Sequence, residues 1–180
     1  MSEHPSGTGC IGPELVREAD PTLEALRRAD LSVVTAESCT GGLIAATLSH
    51  GRGASDVLHG GFVIYTKESK ERVLGVDRNL LERAGSVNEP VARQLAEGAL
   101  AHSPASVAIA VTGVLPPNRD EDNNPPGLIF VAIARRGAAA AVVRLCFESG
   151  DPDEVRRNIV LKSLALLRAH AQTAASPSQG

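Results

Sequence analysis

The stretch LSVVTAESCTGGLIAATL, residues 31–48, decides the fold of the chain. Its first part, residues 31–34, is short and contains two adjacent valines, which is typical of a buried strand. Its last part, residues 43–48, consists of apolar residues and threonine that favour a helix. A strand therefore ends, and a helix begins, within residues 38–42.

This junction is suited to chemistry. The first N–H groups of a helix lack partners within the helix, and the helix dipole adds partial positive charge there. Gly41 and Gly42 have no Cβ and allow close approach to the backbone. The hydroxyl of Ser38 can attack a carbonyl beside those donors, which then hold the oxyanion. The alternative is that Ser38 or Thr40 only caps the helix, and spacing alone favours this alternative.

Composition excludes several classes of protein. Aromatic residues make up only 2% of the 180 residues and the formal charge is −3, which argues against a nucleic-acid-binding surface. We expect no membrane span, because no apolar run approaches roughly 18 residues, and no signal peptide. The five histidines and three cysteines lack ligand spacing, so we predict no metal site. The sparse cysteines predict a cytoplasmic protein.

Helix and strand patterns alternate along the chain, and a hairpin follows them. We predict helices at 13–29, 43–49, 67–74, 78–83, 90–102 and 153–169, and strands at 31–34, 57–65, 106–111, 128–134 and 139–147. This order predicts a three-layer α/β/α sandwich with a mixed, mostly parallel sheet of about five strands, one of them antiparallel.

Individual residues and local composition predict four further features: a helix break, an irregular strand, two flexible termini and a long loop. Asp20 and Pro21 predict a break or kink in the first helix, and Gly60-Gly61 predict a bulge or a tight backbone approach in the second strand. Residues 1–12 are predicted to form a flexible arm and residues 171–180 a disordered tail. Residues 114–126 contain four prolines and form a long loop, which is typical of a lid or binding loop.

Polar residues follow three of the predicted strands, at Ser38, at Tyr65-Thr66-Lys67 and at Thr112-Gly113. Ligands of open α/β sheets bind at the carboxyl ends of parallel strands, so these groups are expected to converge. A serine with a lysine indicates a Ser-Lys hydrolase, in which burial lowers the lysine pKa so that the neutral amine accepts the serine proton. Lys67 and Lys70 both fit this role, and their spacing does not choose between them.

The remaining candidates each have two interpretations. Tyr65 either relays a proton or orients the lysine, or it is an ordinary strand residue. Glu37 either fixes the turn or contacts the ribose of a ligand. Cys39 is either a thiol nucleophile or, as we prefer, a small apolar residue in the core. Arg156 and Arg157 at the start of the last helix are interpreted as a solvated face.

Several motifs in order along the chain resemble one family. They are Glu37-Ser38-Cys39-Thr40-Gly41-Gly42, residues 60–70 (GGFVIYTKESK), residues 85–92 (GSVNEPVA), Ala110-Val111-Thr112-Gly113 and residues 126–132 (PGLIFVA). Together they resemble the CinA C-terminal domain family, the bacterial nicotinamide-nucleotide amidases, over residues 13–170. Longer members of the family have a separate N-terminal domain, which we expect this chain to lack.

The resemblance implies an activity and a site. The expected reaction converts nicotinamide mononucleotide to nicotinate mononucleotide and ammonia, in pyridine-nucleotide salvage, without metal or cofactor. The resemblance makes Ser38 the nucleophile, Lys70 the base and Tyr65 the assisting tyrosine. It places substrate binding at Glu37, Cys39, Thr40, Gly41, Gly42, Thr112 and Gly113. The expected partner is a small nucleotide, with no nucleic acid and no membrane, and a homo-oligomer is allowed.

The chain departs from the family pattern after Thr112-Gly113. The family usually continues with Ile-Ala-Gly-Pro and further glycine, whereas this chain continues with Val114-Leu115-Pro116-Pro117 and residues 118–124 (NRDEDNN). Prolines remove backbone donors that bind phosphate, and the acidic residues repel it, although Arg119 can compensate. Two alternatives follow, namely a Ser-Lys amidase acting on a different small amide and a non-catalytic nucleotide-binding or regulatory domain.

Overall fold

The computed structural model describes residues 11–147 and 150–175, in which five strands form one sheet between two layers of helices. The strands are β1 (Val33–Glu37), β2 (Leu58–Val63), β3 (Val107–Gly113), β4 (Leu128–Arg135) and β5 (Ala141–Cys146). The helices are α1 (Pro13–Arg28), α2 (Leu43–Ser49), α3 (Lys67–Leu74), α4 (Arg78–Ala84), α5 (Glu89–Ala101) and α6 (Pro152–Ala175).

The sheet has the order β2-β1-β3-β4-β5. β1 pairs in parallel with β2 and with β3, whereas β4 is antiparallel to both of its neighbours. Four strands therefore share one direction and β4 alone opposes them, so the predicted mixed, mostly parallel sheet is confirmed. The predicted irregularity at the glycines of β2 is also confirmed, because the register between β1 and β2 shifts between Val33 and Val34.

Each face of the sheet packs against its own set of helices. Val33 of β1 belongs to the core formed with α1, α2 and α6, whereas Val34 and Ala36 belong to the core formed with α3, α4 and α5. Because successive side chains of a strand point to opposite faces, odd-numbered residues of β1 face the first layer and even-numbered residues face the second. This parity determines where Glu37 and Ser38 point.

Side-chain caps define the starts of the helices in the second layer. The Asn88 side chain accepts a hydrogen bond from Val91 N at 2.9 Å and so caps α5. At the start of α3, Thr66 and Ser69 form a reciprocal capping box. These caps fix the helix that carries Lys67 and Lys70 directly after β2.

Three sequence predictions are wrong within the described residues: the break in α1, the start of the C-terminal tail and the end of the N-terminal arm. α1 continues through Pro21, because Asp20 accepts hydrogen bonds from Arg52 instead of capping a new turn. α6 continues to Ala175, so residues 171–175 are helical rather than part of a tail, and Ala171 is buried in the core. Ile11 is also buried, so the predicted arm ends before it. Residues 1–10 and 176–180, where the rest of the arm and the tail were predicted, lie outside the described residues.

No helix among the described residues has both the length and the apolar character needed to cross a membrane.

Candidate active site

Ser38 is positioned by the end of β1. Its N–H donates a hydrogen bond to the carbonyl of Val111 at 3.1 Å, which extends the pairing with β3 by one residue. Being even-numbered, Ser38 follows Val34 and Ala36 in facing the layer of α3, and it is buried. The nucleophile candidate therefore points toward the helix that carries the two candidate lysines.

Glu37 points the opposite way, toward the start of α2, and it is fully buried. Its carboxylate accepts hydrogen bonds from the N–H groups of Gly42, Ile44 and Ala45 at 2.9–3.1 Å, and from the hydroxyl of Thr35 at 3.0 Å. The structure thus gives Glu37 the turn-fixing role that was one of its two predicted roles. It also corrects the expectation for the oxyanion, because Glu37 occupies the N–H groups of α2 that were expected to hold one.

The amide nitrogens of Cys39 and Thr40 remain as donors in this turn. Ser38 N and Gly41 N donate to backbone carbonyls, and Gly42 N donates to Glu37. Among the described residues, no acceptor is recorded for the N–H groups of Cys39 and Thr40. The Thr40 hydroxyl is buried and also lacks a partner within that part of the chain. Of these two residues Cys39 lines the cavity, so its N–H group is the candidate for stabilising a negative charge on a bound carbonyl oxygen.

Lys70 lies directly against Ser38. It is one of the largest fully buried side chains, and its Nζ lies 3.2 Å from Ser38 Oγ. The same nitrogen donates hydrogen bonds to the backbone carbonyls of Tyr65 at 2.8 Å and Ile64 at 3.3 Å. Burial lowers the pKa of Lys70 from 10.5 to about 8, and the positive charge of Lys67 contributes in the same direction, although Cys39 and Glu121 act against it.

Lys67 lies against the loop that follows β3. Its ammonium group forms ion pairs with Asp122 and, at 3.4 Å, with Glu121. The hydrogen bond with Asp122 is the main reason why the pKa of Lys67 is raised. The two lysines that spacing did not distinguish therefore have different surroundings, and Lys70, to which the resemblance assigned the base, is the one in contact with Ser38.

Tyr65 is placed beside the site, but it contacts Lys70 through its backbone. Its carbonyl accepts the 2.8 Å hydrogen bond from Lys70, whereas the residue is 74% exposed. The carbonyl thus orients the lysine, which was one of the predicted roles. A role of the phenol in proton transfer stays a prediction.

Cys39 is buried, and burial raises the pKa of its thiol to about 12. The thiol is therefore protonated near neutral pH and is a poor nucleophile, in agreement with the preferred interpretation. Its carbonyl accepts a hydrogen bond from Arg156 Nε at 3.3 Å. Sequence reasoning missed this link between α6 and the turn, because it interpreted Arg156 as solvated.

The glycines and Thr112 shape the surroundings of Ser38. Gly41 and Gly42 have φ values of 61° and 96°, which other residues rarely adopt, so the turn depends on them. Thr112 is buried, and its hydroxyl donates a hydrogen bond to the carbonyl of Ser86 at 2.8 Å. Ser86 is a further site residue that sequence reasoning missed as such, although it lies within the GSVNEPVA motif.

The ends of the three parallel strands converge on one cavity of about 650 Å³, as predicted. Its walls comprise Ser38, Cys39, residues 65–68, Lys70, Ser86, Val87, residues 112–115 and residues 118–122. Of the predicted binding residues, Cys39, Thr112 and Gly113 line the cavity. Glu37, Thr40, Gly41 and Gly42 instead build the turn behind Ser38. The described residues include no cluster of three or more histidine, cysteine, aspartate or glutamate side chains suited to a metal.

Comparison with known proteins gives consistent matches. Residues 16–171 match the family described as the CinA C-terminal domain. A CinA-like protein of Anaeromyxobacter sp. (strain K) is 40% identical over 165 residues, which is 89% of this chain and 40% of that protein. The chain thus spans less than half the length of this relative.

Solved structures match along nearly their whole length. A competence-damaged protein (CinA) superfamily protein from Klebsiella pneumoniae has a TM-score of 0.84 at 29% identity, covering 88% of this chain and 98% of that one. A competence/damage inducible protein from Agrobacterium tumefaciens has a TM-score of 0.82 at 34% identity, covering 90% and 98%.

Proposed function

The chain belongs to the CinA C-terminal domain family, and from this premise we propose that it hydrolyses a carboxamide with Ser38 as nucleophile and Lys70 as general base. The observation that supports this most strongly is the 3.2 Å contact between the Lys70 amine and the Ser38 hydroxyl. Both residues are buried, and both line the cavity at the carboxyl ends of the parallel strands. The substrate implied by the family resemblance is nicotinamide mononucleotide or a close relative.

The proposed reaction has two halves. The Ser38 oxygen attacks the carboxamide carbon, and neutral Lys70 takes the hydroxyl proton. The ammonium group of Lys70 then returns this proton to the leaving nitrogen, so that ammonia departs and an ester to Ser38 remains. Water attacks the ester, Lys70 takes a proton from the water and returns it to Ser38, and the carboxylate product is released.

Two features of the site support this mechanism. The lowered pKa of Lys70, about 8, makes a neutral amine available near physiological pH, as a general base requires. The N–H group of Cys39, which lines the cavity, is adjacent to the nucleophile in sequence, where a donor can stabilise the tetrahedral oxyanion. An exposed Lys70 far from Ser38 would favour the rival interpretation, a non-catalytic binding domain, whereas Lys70 is buried against Ser38.

Ammonia release tests the proposal. Purified protein is incubated with nicotinamide mononucleotide and with the corresponding nucleoside, nicotinamide riboside, and ammonia is measured together with the carboxylate product. We expect Ser38→Ala to lower kcat by at least ~10³-fold, as for other nucleophiles. Ser49→Ala, an exposed serine on α2, is the matched control and is expected to retain activity. Equal release from wild type and Ser38→Ala, or no release from wild type, would reject the proposal.

A further inference from the structure

The loop after β3 forms a wall of the cavity that is rich in carboxylates. Glu121 and Asp122 both line the cavity and both pair with Lys67. Asp122 is held from two more directions. Its Oδ2 accepts a hydrogen bond from Ser86 N at 3.0 Å, and its own N–H donates to Asp120 Oδ1 at 3.1 Å. Several hydrogen bonds and ion pairs therefore hold the carboxylate of Asp122 in a fixed position at the cavity wall.

Asp120 fixes the shape of the loop as well as adding charge to it. Its Oδ1 also accepts a hydrogen bond from Asn124 N at 2.7 Å, and its Oδ2 accepts one from Asn124 Nδ2 at 2.9 Å. Three consecutive residues, Asp120, Glu121 and Asp122, therefore carry carboxylates, and all three line the cavity. Arg119 is the one cationic residue between positions 118 and 122.

Phosphate binding requires free cationic side chains or free backbone donors. Lys67, which lines the cavity, is engaged by two carboxylates. Lys70 is buried against Ser38 and the carbonyls of Ile64 and Tyr65. Arg119 is exposed, and its guanidinium donates to the carbonyl of Asn123 at 2.7 Å. Pro116 and Pro117 supply no N–H at the start of the loop.

The same wall is attractive to a positive charge. Of the two carboxylates paired with Lys67, Glu121 has a side chain that is 72% exposed, so it can be approached from the cavity. One ammonium group faces two carboxylates, which leaves a net negative charge at this position. A pyridinium ring carries a positive charge close to its carboxamide, and a cavity of about 650 Å³ is large enough for a nucleoside.

We propose that Glu121 and Asp122 make this site selective for a positively charged carboxamide without a phosphate group, such as a pyridinium nucleoside. This inference rests on the proposed Ser-Lys amidase function and assigns the substrate class of that site. The two carboxylates repel the phosphate of a nucleotide and attract the ring of the nucleoside.

The test compares kcat/KM for ammonia release from nicotinamide riboside, nicotinamide mononucleotide and uncharged nicotinamide at low ionic strength. We expect the riboside to exceed the mononucleotide by at least tenfold, and to exceed nicotinamide as well. Glu121→Gln is expected to reduce the preference for the riboside over the mononucleotide by at least threefold. Glu97→Gln, an exposed carboxylate on α5 that does not line the cavity, is the control and is expected to leave the ratio unchanged.

Failure of the inference is distinguishable from failure of the amidase proposal. A mononucleotide preferred over the riboside overturns the inference and leaves the amidase intact. The same holds if Arg119→Gln selectively weakens hydrolysis of the mononucleotide, because Arg119 would then bind its phosphate. Release of ammonia from none of the three substrates rejects the amidase itself. Calorimetry of riboside and mononucleotide binding to Ser38→Ala measures the same selectivity without turnover, and equal affinities would overturn the inference.

Discussion

The pH dependence of Ser38 reactivity follows from the burial of Lys70. With a pKa of about 8, roughly one tenth of Lys70 is neutral at pH 7, and roughly half at pH 8. With the ordinary value of 10.5, only about 0.03% would be neutral at pH 7. Burial therefore supplies about 300-fold more of the active base at neutral pH, which corresponds to about 3 kcal/mol.

The reactivity of Ser38 can be measured without knowing the substrate. A sulfonyl fluoride labels an activated serine, and intact mass spectrometry gives the rate of labelling between pH 6 and pH 10. We expect the rate to rise about tenfold per pH unit below pH 7 and to level off above pH 9, with a midpoint within one unit of pH 8. The kcat/KM for ammonia release is expected to follow the same curve.

Three variants identify the group that titrates. Lys70→Arg places a permanent cation at the site and is expected to abolish the pH-dependent labelling. Lys67→Met is expected to move the midpoint upward, because the charge of Lys67 helps to lower the pKa of Lys70. Lys162→Met removes an exposed lysine on α6 and is expected to change nothing. A midpoint at pH 10 or above, or a normal curve in Lys70→Arg, would refute the assignment of Lys70 as base.

Three further predictions concern the free energy of unfolding, measured by denaturant titration. Glu37→Gln is expected to lower it by about 1.5–3 kcal/mol, because the carboxylate accepts four hydrogen bonds; an unchanged midpoint would contradict this role. Gly98→Ala is expected to lower it by about 1–3 kcal/mol despite better helix propensity, because its Cβ would overlap the Leu74 carbonyl; a stabilised variant would show that α3 and α5 can separate. Lys70→Met is expected to be inactive yet about 1 kcal/mol more stable at pH 7, since relief of the buried charge exceeds the loss of hydrogen bonds to two carbonyls. This gain is expected to vanish as the pH rises from about 8 toward 10.5, where the wild-type lysine becomes neutral in the unfolded chain too; a gain that persists there would have another cause.

The sequence predicted helices and strands correctly where the residues that define them are close together in the chain. The helix predicted at 90–102, which Asn88 caps at Val91, and the closing hairpin depend on residues only a few positions apart. The break predicted at Pro21 was wrong because Asp20 has a tertiary partner, Arg52, that local rules do not see. The end of α6 was missed for a similar reason, since Ala171 is held in the helix by burial in the core.

The site was predicted in part. The parity of β1 is a sequence signal that places Glu37 and Ser38 on opposite faces, and it would have indicated the structural role of Glu37 in advance. The link from Arg156 to the Cys39 carbonyl spans 117 positions, and nothing in the sequence near either residue indicates it.

The sequence by itself determined that a strand, a glycine turn and a helix present Ser38 at the edge of a mixed sheet, because these features depend on propensity and hydrophobic period. Local spacing did not choose between Lys70 and Lys67; the family resemblance assigned the base to Lys70, and the tertiary structure supplies the physical reason. The two lysines are equivalent in local pattern, but packing of α3 against the sheet buries one beside Ser38 and leaves the other with the carboxylates of the loop. The physical reason is that desolvation and ion pairing, which determine the pKa of each amine, depend on neighbours far away in the chain.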